Sequence, residues 1–76
     1  MPKIIPISYS RLECIFKKDG FVYSRVKGDH IIYVKPGVSR PLVIPKYNAV
    51  PVFVIKNLLR TADMSRERYL VLLNEC

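Results

Sequence analysis

The first regular pattern of hydrophobic and polar positions predicts a helix from Ser8 to Lys18. Its apolar residues recur at the three- and four-residue spacing of one helix face: Leu12, Ile15 and Phe16. Ser8 is one possible N-cap, and Ser10 is another because Glu13 would complete a capping box with it. The pattern leaves this choice open. Gly20 is a natural residue for ending the helix.

Three segments rich in β-branched and aromatic residues follow and are typical of strands. They are Phe21 to Lys27, His30 to Lys35, and Arg40 to Ile44, and Pro45 closes the last of them. Gly28-Asp29 separates the first two segments and favours a two-residue hairpin turn. Because the connections are short, we expect an antiparallel meander.

Helical spacing returns in the last third of the chain. A helix is predicted from Val52 to Ala62, followed by a short helix capped by Ser65. The inward positions of the short helix would be Tyr69, Leu72 and Leu73. The expected class is α+β in the order α-β-β-β-α, with an extra C-terminal helix and all helices on one face of the sheet. This order resembles the double-stranded-RNA-binding fold, which meets RNA through its shape, phosphates and 2′-hydroxyls.

Composition narrows the possible functions. The 76 residues carry a net charge of +7, so we expect one domain over residues 1–76 and a polyanionic partner, nucleic acid or an acidic protein. The alternative without a specific partner is a basic surface that only confers solubility. No apolar segment predicts a membrane span, and prolines break the N-terminus where a signal peptide would be continuous, which favours the cytoplasm. The two cysteines, Cys14 and Cys76, fit a reducing compartment better than a disulfide, and no metal site or cofactor is expected.

His30 is the one histidine and the main candidate for chemistry. Imidazole can take up a proton near neutral pH, and an RNA 2′-hydroxyl needs such a base before it attacks the adjacent phosphate. Arg25, Lys27 and Lys35 are expected near it in the hairpin, where cations would hold the phosphate. Taken alone, however, a single strand histidine is more often an ordinary surface residue.

A family resemblance changes that balance. The run Gly20-Phe21, then Arg25, then Gly28-Asp29-His30 resembles the signature of HicA-type (YcfA-like) toxins of bacterial and archaeal toxin–antitoxin systems. Val43-Ile44-Pro45 is similar to the family's third strand. The spaced residues Ile55, Leu58, Leu59 and Ala62 are similar to its second helix. The resemblance runs from about Ile5 to Leu73.

The resemblance implies an mRNA interferase: a toxin that cleaves mRNA without a metal and stops translation. It makes His30 the catalytic residue. From their expected places around His30 in the hairpin, the RNA-binding candidates are Arg25, Lys27, Gly28, Asp29 and Lys35. The resemblance also implies a HicB-like antitoxin that covers the site, and operator DNA contacted only through the toxin–antitoxin complex.

The chain departs from the family pattern at three positions. Asp29 stands where the family has Ser or Thr, Tyr47 stands where a His is frequent, and Asp63 replaces a Gly. Asp29 places a negative charge beside the expected phosphate site. It therefore favours an alternative, a binding module of the same fold that holds RNA or an antitoxin without cleaving RNA.

Overall fold

The computed structural model describes residues 3–76, so the first two positions of the predicted domain lie outside the described residues. Its elements confirm the predicted order. They are α1 (Tyr9–Lys18), β1 (Val22–Lys27), β2 (His30–Val34), β3 (Leu42–Pro45), α2 (Val52–Ala62) and α3 (Arg66–Glu75). The strands form one antiparallel sheet in the order β1-β2-β3, as the short connections predicted.

One face of the sheet packs against the helices and forms the core. Ile31, Tyr33, Leu42 and Ile44 supply the buried strand side chains. The predicted helix faces meet them, with the following residues buried: Leu12, Ile15, Phe16, Ile55, Leu58, Leu59, Ala62, Tyr69 and Leu72. Burial of these apolar faces is the main stabilising contribution to the fold, and it leaves the opposite face of the sheet facing solvent.

The start of α1 differs from the capping-box prediction. Ser8 occupies the N-cap position, but its hydroxyl makes no capping bond and instead lies 3.1 Å from that of Ser10. Glu13 accepts a 2.6 Å hydrogen bond from the hydroxyl of Tyr33 on β2. Of the two N-cap candidates, the structure thus has Ser8, and the capping box of Ser10 with Glu13 does not form because the carboxylate is held by the sheet. Burial, together with this bond, raises the pKa of Tyr33 above its usual value.

The end of α1 confirms the role of Gly20, which adopts a φ of 101°. The next N–H, that of Phe21, donates to the carbonyl of Phe16 at 2.9 Å. Phe21 is buried against Phe16 with its ring edge-on, so it belongs to the core and β1 begins one residue later than predicted. Phe21 therefore anchors the entry to the hairpin that carries His30.

The C-terminal helix is longer than the short helix that the sequence predicted. It has ten residues, and the Ser65 hydroxyl caps it as expected, accepting from the backbone N–H of Arg68 at 3.1 Å. Tyr69 and Leu72 are buried and Leu73 is half-buried, so the predicted inward face is confirmed. Among residues 3–76, no helix is both long and apolar enough to cross a membrane.

The expectation that the two cysteines stay unpaired was wrong. Cys14 on α1 and Cys76, directly after α3, form a disulfide with their Cα atoms 5.9 Å apart. They meet because α3 packs along α1, a contact between elements that lie far apart in the sequence. The bond closes a long loop, since 62 positions separate its two residues.

Candidate active site

A β-bulge decides which side chains share the solvent-facing side of the sheet. Tyr23 pairs with Tyr33, but the next pair is Arg25 with Ile32, so Ser24 is the extra residue of β1. Directly opposed residues project to the same face of a sheet. Without the bulge, Arg25 would share the inner face with Tyr23, and with it Arg25 lies on the outer face. Bulges frequently redirect a side chain in this way beside functional sites.

The same pairing brings His30 and Lys27 together. They are opposed residues at the ends of β2 and β1, on either side of the Gly28-Asp29 turn. Both are exposed, and Gly28 has a φ of 60°, a conformation that favours glycine at this turn position. The tight turn therefore places both side chains at the same end of the outer face.

A shallow cavity of about 460 Å³ lies over this turn. Its walls are the predicted residues Lys27, Gly28, Asp29 and His30, completed by Ile32 and Val43. Ile32 is only 6% exposed although it lies on the outer face, so the neighbouring side chains of that face cover it. The cavity thus has a polar, charged end formed by the turn and an apolar floor formed by β2 and β3.

The imidazole of His30 is free to act on a ligand. Within residues 3–76, it has no hydrogen-bond or ion-pair partner. Asp29 lines the same cavity but does not hold the imidazole. No group of three or more metal-ligating side chains occurs in the described part of the chain. The chemistry that this arrangement offers is proton transfer by His30 beside one positive and one negative charge.

Lys35 lies elsewhere, so the expectation that it is near His30 was wrong. It follows the far end of β2, roughly 16 Å along the strand from His30 at the usual rise per residue. Its ammonium lies 3.6 Å from a carboxylate oxygen of Asp19 and 5.4 Å from the centre of the Phe21 ring. Lys35 therefore ties the end of α1 to the sheet.

One basic residue near the turn, Lys46, was not predicted from the sequence and lies outside the cavity wall. Its backbone N–H donates to the carbonyl of Asp29 at 2.8 Å, and it follows Pro45, which pairs with His30. Lys46 is therefore exposed beside the turn, directly after the end of β3. An antiparallel β2–β3 pair predicts this placement, because the end of β3 must lie opposite the start of β2.

Comparison with known families adds to this geometry. A family model described as the HicA toxin of bacterial toxin–antitoxin matches residues 9–64. The chain belongs to the HicA toxin family. It is thus related to the toxin component of toxin–antitoxin systems, and membership implies an antitoxin as partner. The comparison with curated proteins gives no match.

The family match includes some elements of the fold and leaves out others. It includes α1, the whole sheet and α2, and therefore every residue of the His30 cavity, whereas α3 and Cys76 lie beyond it. The departure at Asp63 has a structural counterpart, since this residue adopts a φ of 54° after α2, where glycine costs least. Tyr47 is half exposed, and its carbonyl accepts from the N–H of Tyr9, linking the loop to α1.

Proposed function

We propose that the chain is an mRNA-cleaving toxin that acts without a metal ion, with His30 as its catalytic base. The observation that carries this proposal is the position of the single histidine, exposed and unpartnered in a cavity within the HicA match. We propose further that residues 1–76 act as one domain, because α3 packs on α1 rather than apart from it.

In the proposed reaction, the imidazole of His30 removes the proton from an RNA 2′-hydroxyl. The 2′-oxygen then bonds to the adjacent phosphorus while the bond from phosphorus to the 5′-oxygen breaks. The products are a 2′,3′-cyclic phosphate and a 5′-hydroxyl, and the leaving oxygen takes its proton from water, a lysine or a tyrosine. Positioned acid–base groups of this kind contribute about 10²–10⁴-fold to a rate.

Positive side chains around the cavity would stabilise the negative charge of the RNA phosphate during the proposed reaction. Lys27 lies opposite His30 in the hairpin, and Arg25 lies further along the same outer face. Both would hold the phosphate and offset the charge that develops on it. The backbone at Gly28 allows close approach, whereas Lys35 would act only on RNA that extends toward the other end of β2.

The test is cleavage of a labelled RNA oligonucleotide by purified protein in the presence of EDTA. We expect His30→Ala to lower the rate by about 10²–10⁴-fold and Lys27→Ala to lower it by about tenfold. Lys17→Ala, which removes the same charge from an exposed position on α1, should leave the rate within about twofold. A substrate with a 2′-deoxyribose at the cleaved linkage should be inert. Cleavage of that substrate, or full activity of His30→Ala, would refute the mechanism.

A second candidate function follows from Asp29, whose position in the cavity wall places a negative charge where phosphate would bind. In this alternative the chain binds RNA or an acidic antitoxin surface and cleaves nothing. RNA binding that weakens steeply with salt, without any cleavage by the wild-type protein, would support it.

The proposed partners follow from the same family. A HicB-like antitoxin would bind over the His30 cavity and silence it, with the +7 charge accelerating association with an acidic partner. Operator DNA would be bound through the toxin–antitoxin complex. The proposed place of action is the cytoplasm, where mRNA is translated.

A further inference from the structure

A second groove lies beside the His30 cavity, between β3 and α2. Its volume is about 330 Å³, and α2 contributes Val54, Asn57 and Thr61 to its wall. Arg40, from the loop before β3, also lines this groove, and Val43 lines both the groove and the His30 cavity. The two concavities therefore adjoin at Val43.

The groove combines an apolar surface with a few polar groups, as small-ligand sites do. Val43 and Val54 offer flat contacts to an aromatic ring. Asn57 is exposed, and its side-chain oxygen Oδ1 accepts a hydrogen bond from Arg60 at 3.4 Å. The hydrogens of the side-chain amide therefore remain available to a ligand. Thr61 adds a hydroxyl. An amide and a hydroxyl beside an apolar wall are the groups that read the edge of an unstacked base.

Charge and strand geometry favour RNA over a peptide as the occupant. Among the described residues that line the groove, Arg40 is the one charged residue, and its charge is positive. β3 is an edge strand of only four residues, with Pro41 before it and Pro45 at its end. Prolines and short length oppose the addition of a further strand, the commonest way in which an extended peptide would bind such an edge.

We propose that this groove is a base-recognition subsite, which holds a single-stranded RNA base next to the phosphate at His30. This inference rests on the proposed function. Asn57 and Thr61 contact the base edge, and Arg40 contacts the RNA backbone. The groove thereby determines which linkage is presented to His30, so these residues set sequence preference and take no part in the chemistry.

The test measures binding rather than cleavage, so that its failure is distinct from failure of the proposed reaction. Four fluorescent RNA oligonucleotides that differ at one base are titrated with His30→Ala protein, and with the same protein carrying Asn57→Ala or Thr61→Val. We expect the parent to prefer one base by at least about fivefold and Asn57→Ala to reduce that preference below about twofold. Asn74→Ala, the same change at an exposed position on α3, should retain it.

Arg40→Ala provides a second signature, because a backbone contact weakens binding of all four oligonucleotides equally and lowers the salt dependence. A parent with no base preference, or an unchanged preference in both Asn57→Ala and Thr61→Val, would overturn the proposal. Weaker antitoxin binding by Asn57→Ala with unchanged RNA binding would overturn it too, because the groove would then be a protein-docking surface. If the base preference depends on Asn57 but the wild-type protein does not cleave RNA, the result would support the subsite and refute the proposed nuclease activity.

Discussion

Removing the bond between Cys14 and Cys76 should measurably destabilise the oxidised protein. The 62-position separation gives a loop-closure contribution of about 4 kcal/mol at 25 °C in the chain-entropy model, and loss of native disulfides generally costs about 2–5 kcal/mol. Cys76 lies directly after α3 and is only half-buried, so Cys76→Ser removes little packing. We therefore expect this variant to lower the free energy of unfolding by about 2–4 kcal/mol.

The assay is urea unfolding of purified, oxidised protein, followed by far-ultraviolet circular dichroism. Cys14→Ser, Cys76→Ser and the double variant should lose the same amount, because each change removes one and the same bond. Reductant should bring the wild type to the level of the variants. A wild type within about 0.5 kcal/mol of Cys76→Ser before reduction, or two reactive thiols in the oxidised folded protein, would refute the reasoning.

Three further predictions concern buried tyrosines and the charge at the turn. Tyr33→Phe should cost about 1.5–3 kcal/mol by removing the hydrogen bond to Glu13, whereas Tyr69→Phe should be neutral or stabilising in the same urea assay, since its buried hydroxyl has no partner in the described structure. Burial raises the pKa of both tyrosines, so their contribution to stability should be constant below the usual tyrosine pKa of about 10 and fall as the pH rises further. A fall above that pH that persists undiminished in both Phe variants would contradict this. Asp29→Ser should raise RNA affinity by about two- to fivefold in anisotropy titrations by removing a negative charge from the cavity wall, whereas Asp63→Asn, which removes the same charge after α2, should not.

The order of the elements could be predicted from the sequence because each carries a local signal. The helix Val52–Ala62 was predicted with its observed bounds, and Ser65 and the Gly28-Asp29 turn were placed correctly. Periodicity, capping residues and turn residues act over a few positions, so they can be read without tertiary structure.

Three of the differences involve contacts between distant positions. Glu13 had a plausible local partner in the capping box, but Tyr33 from β2 takes its carboxylate. Cys14 and Cys76 gave no spacing signal, because only the packing of α3 on α1 brings them together. Lys35 was expected near His30 from its strand, yet the strand's length carries it to Asp19 instead.

In the candidate site, too, some features could be predicted from the sequence and others could not. His30 and Lys27 could be paired from the hairpin turn, and the structure places both in one cavity. The bulge at Ser24, which turns Arg25 to the outer face, has no clear signal in a single sequence. Lys46 is different, because the predicted antiparallel pairing of β2 and β3 already implies that the residue after β3 lies near the turn.

On the proposed function, His30 makes this chain a toxin by cleaving mRNA. The most direct measurement is induced expression of the wild type, His30→Ala and the loop variant Asn48→Ala, scored for growth arrest and for integrity of total mRNA. We expect arrest and mRNA loss with the wild type and Asn48→Ala, and neither effect with soluble, folded His30→Ala. Arrest and mRNA loss with His30→Ala, or no arrest with any of the three folded proteins, would contradict it.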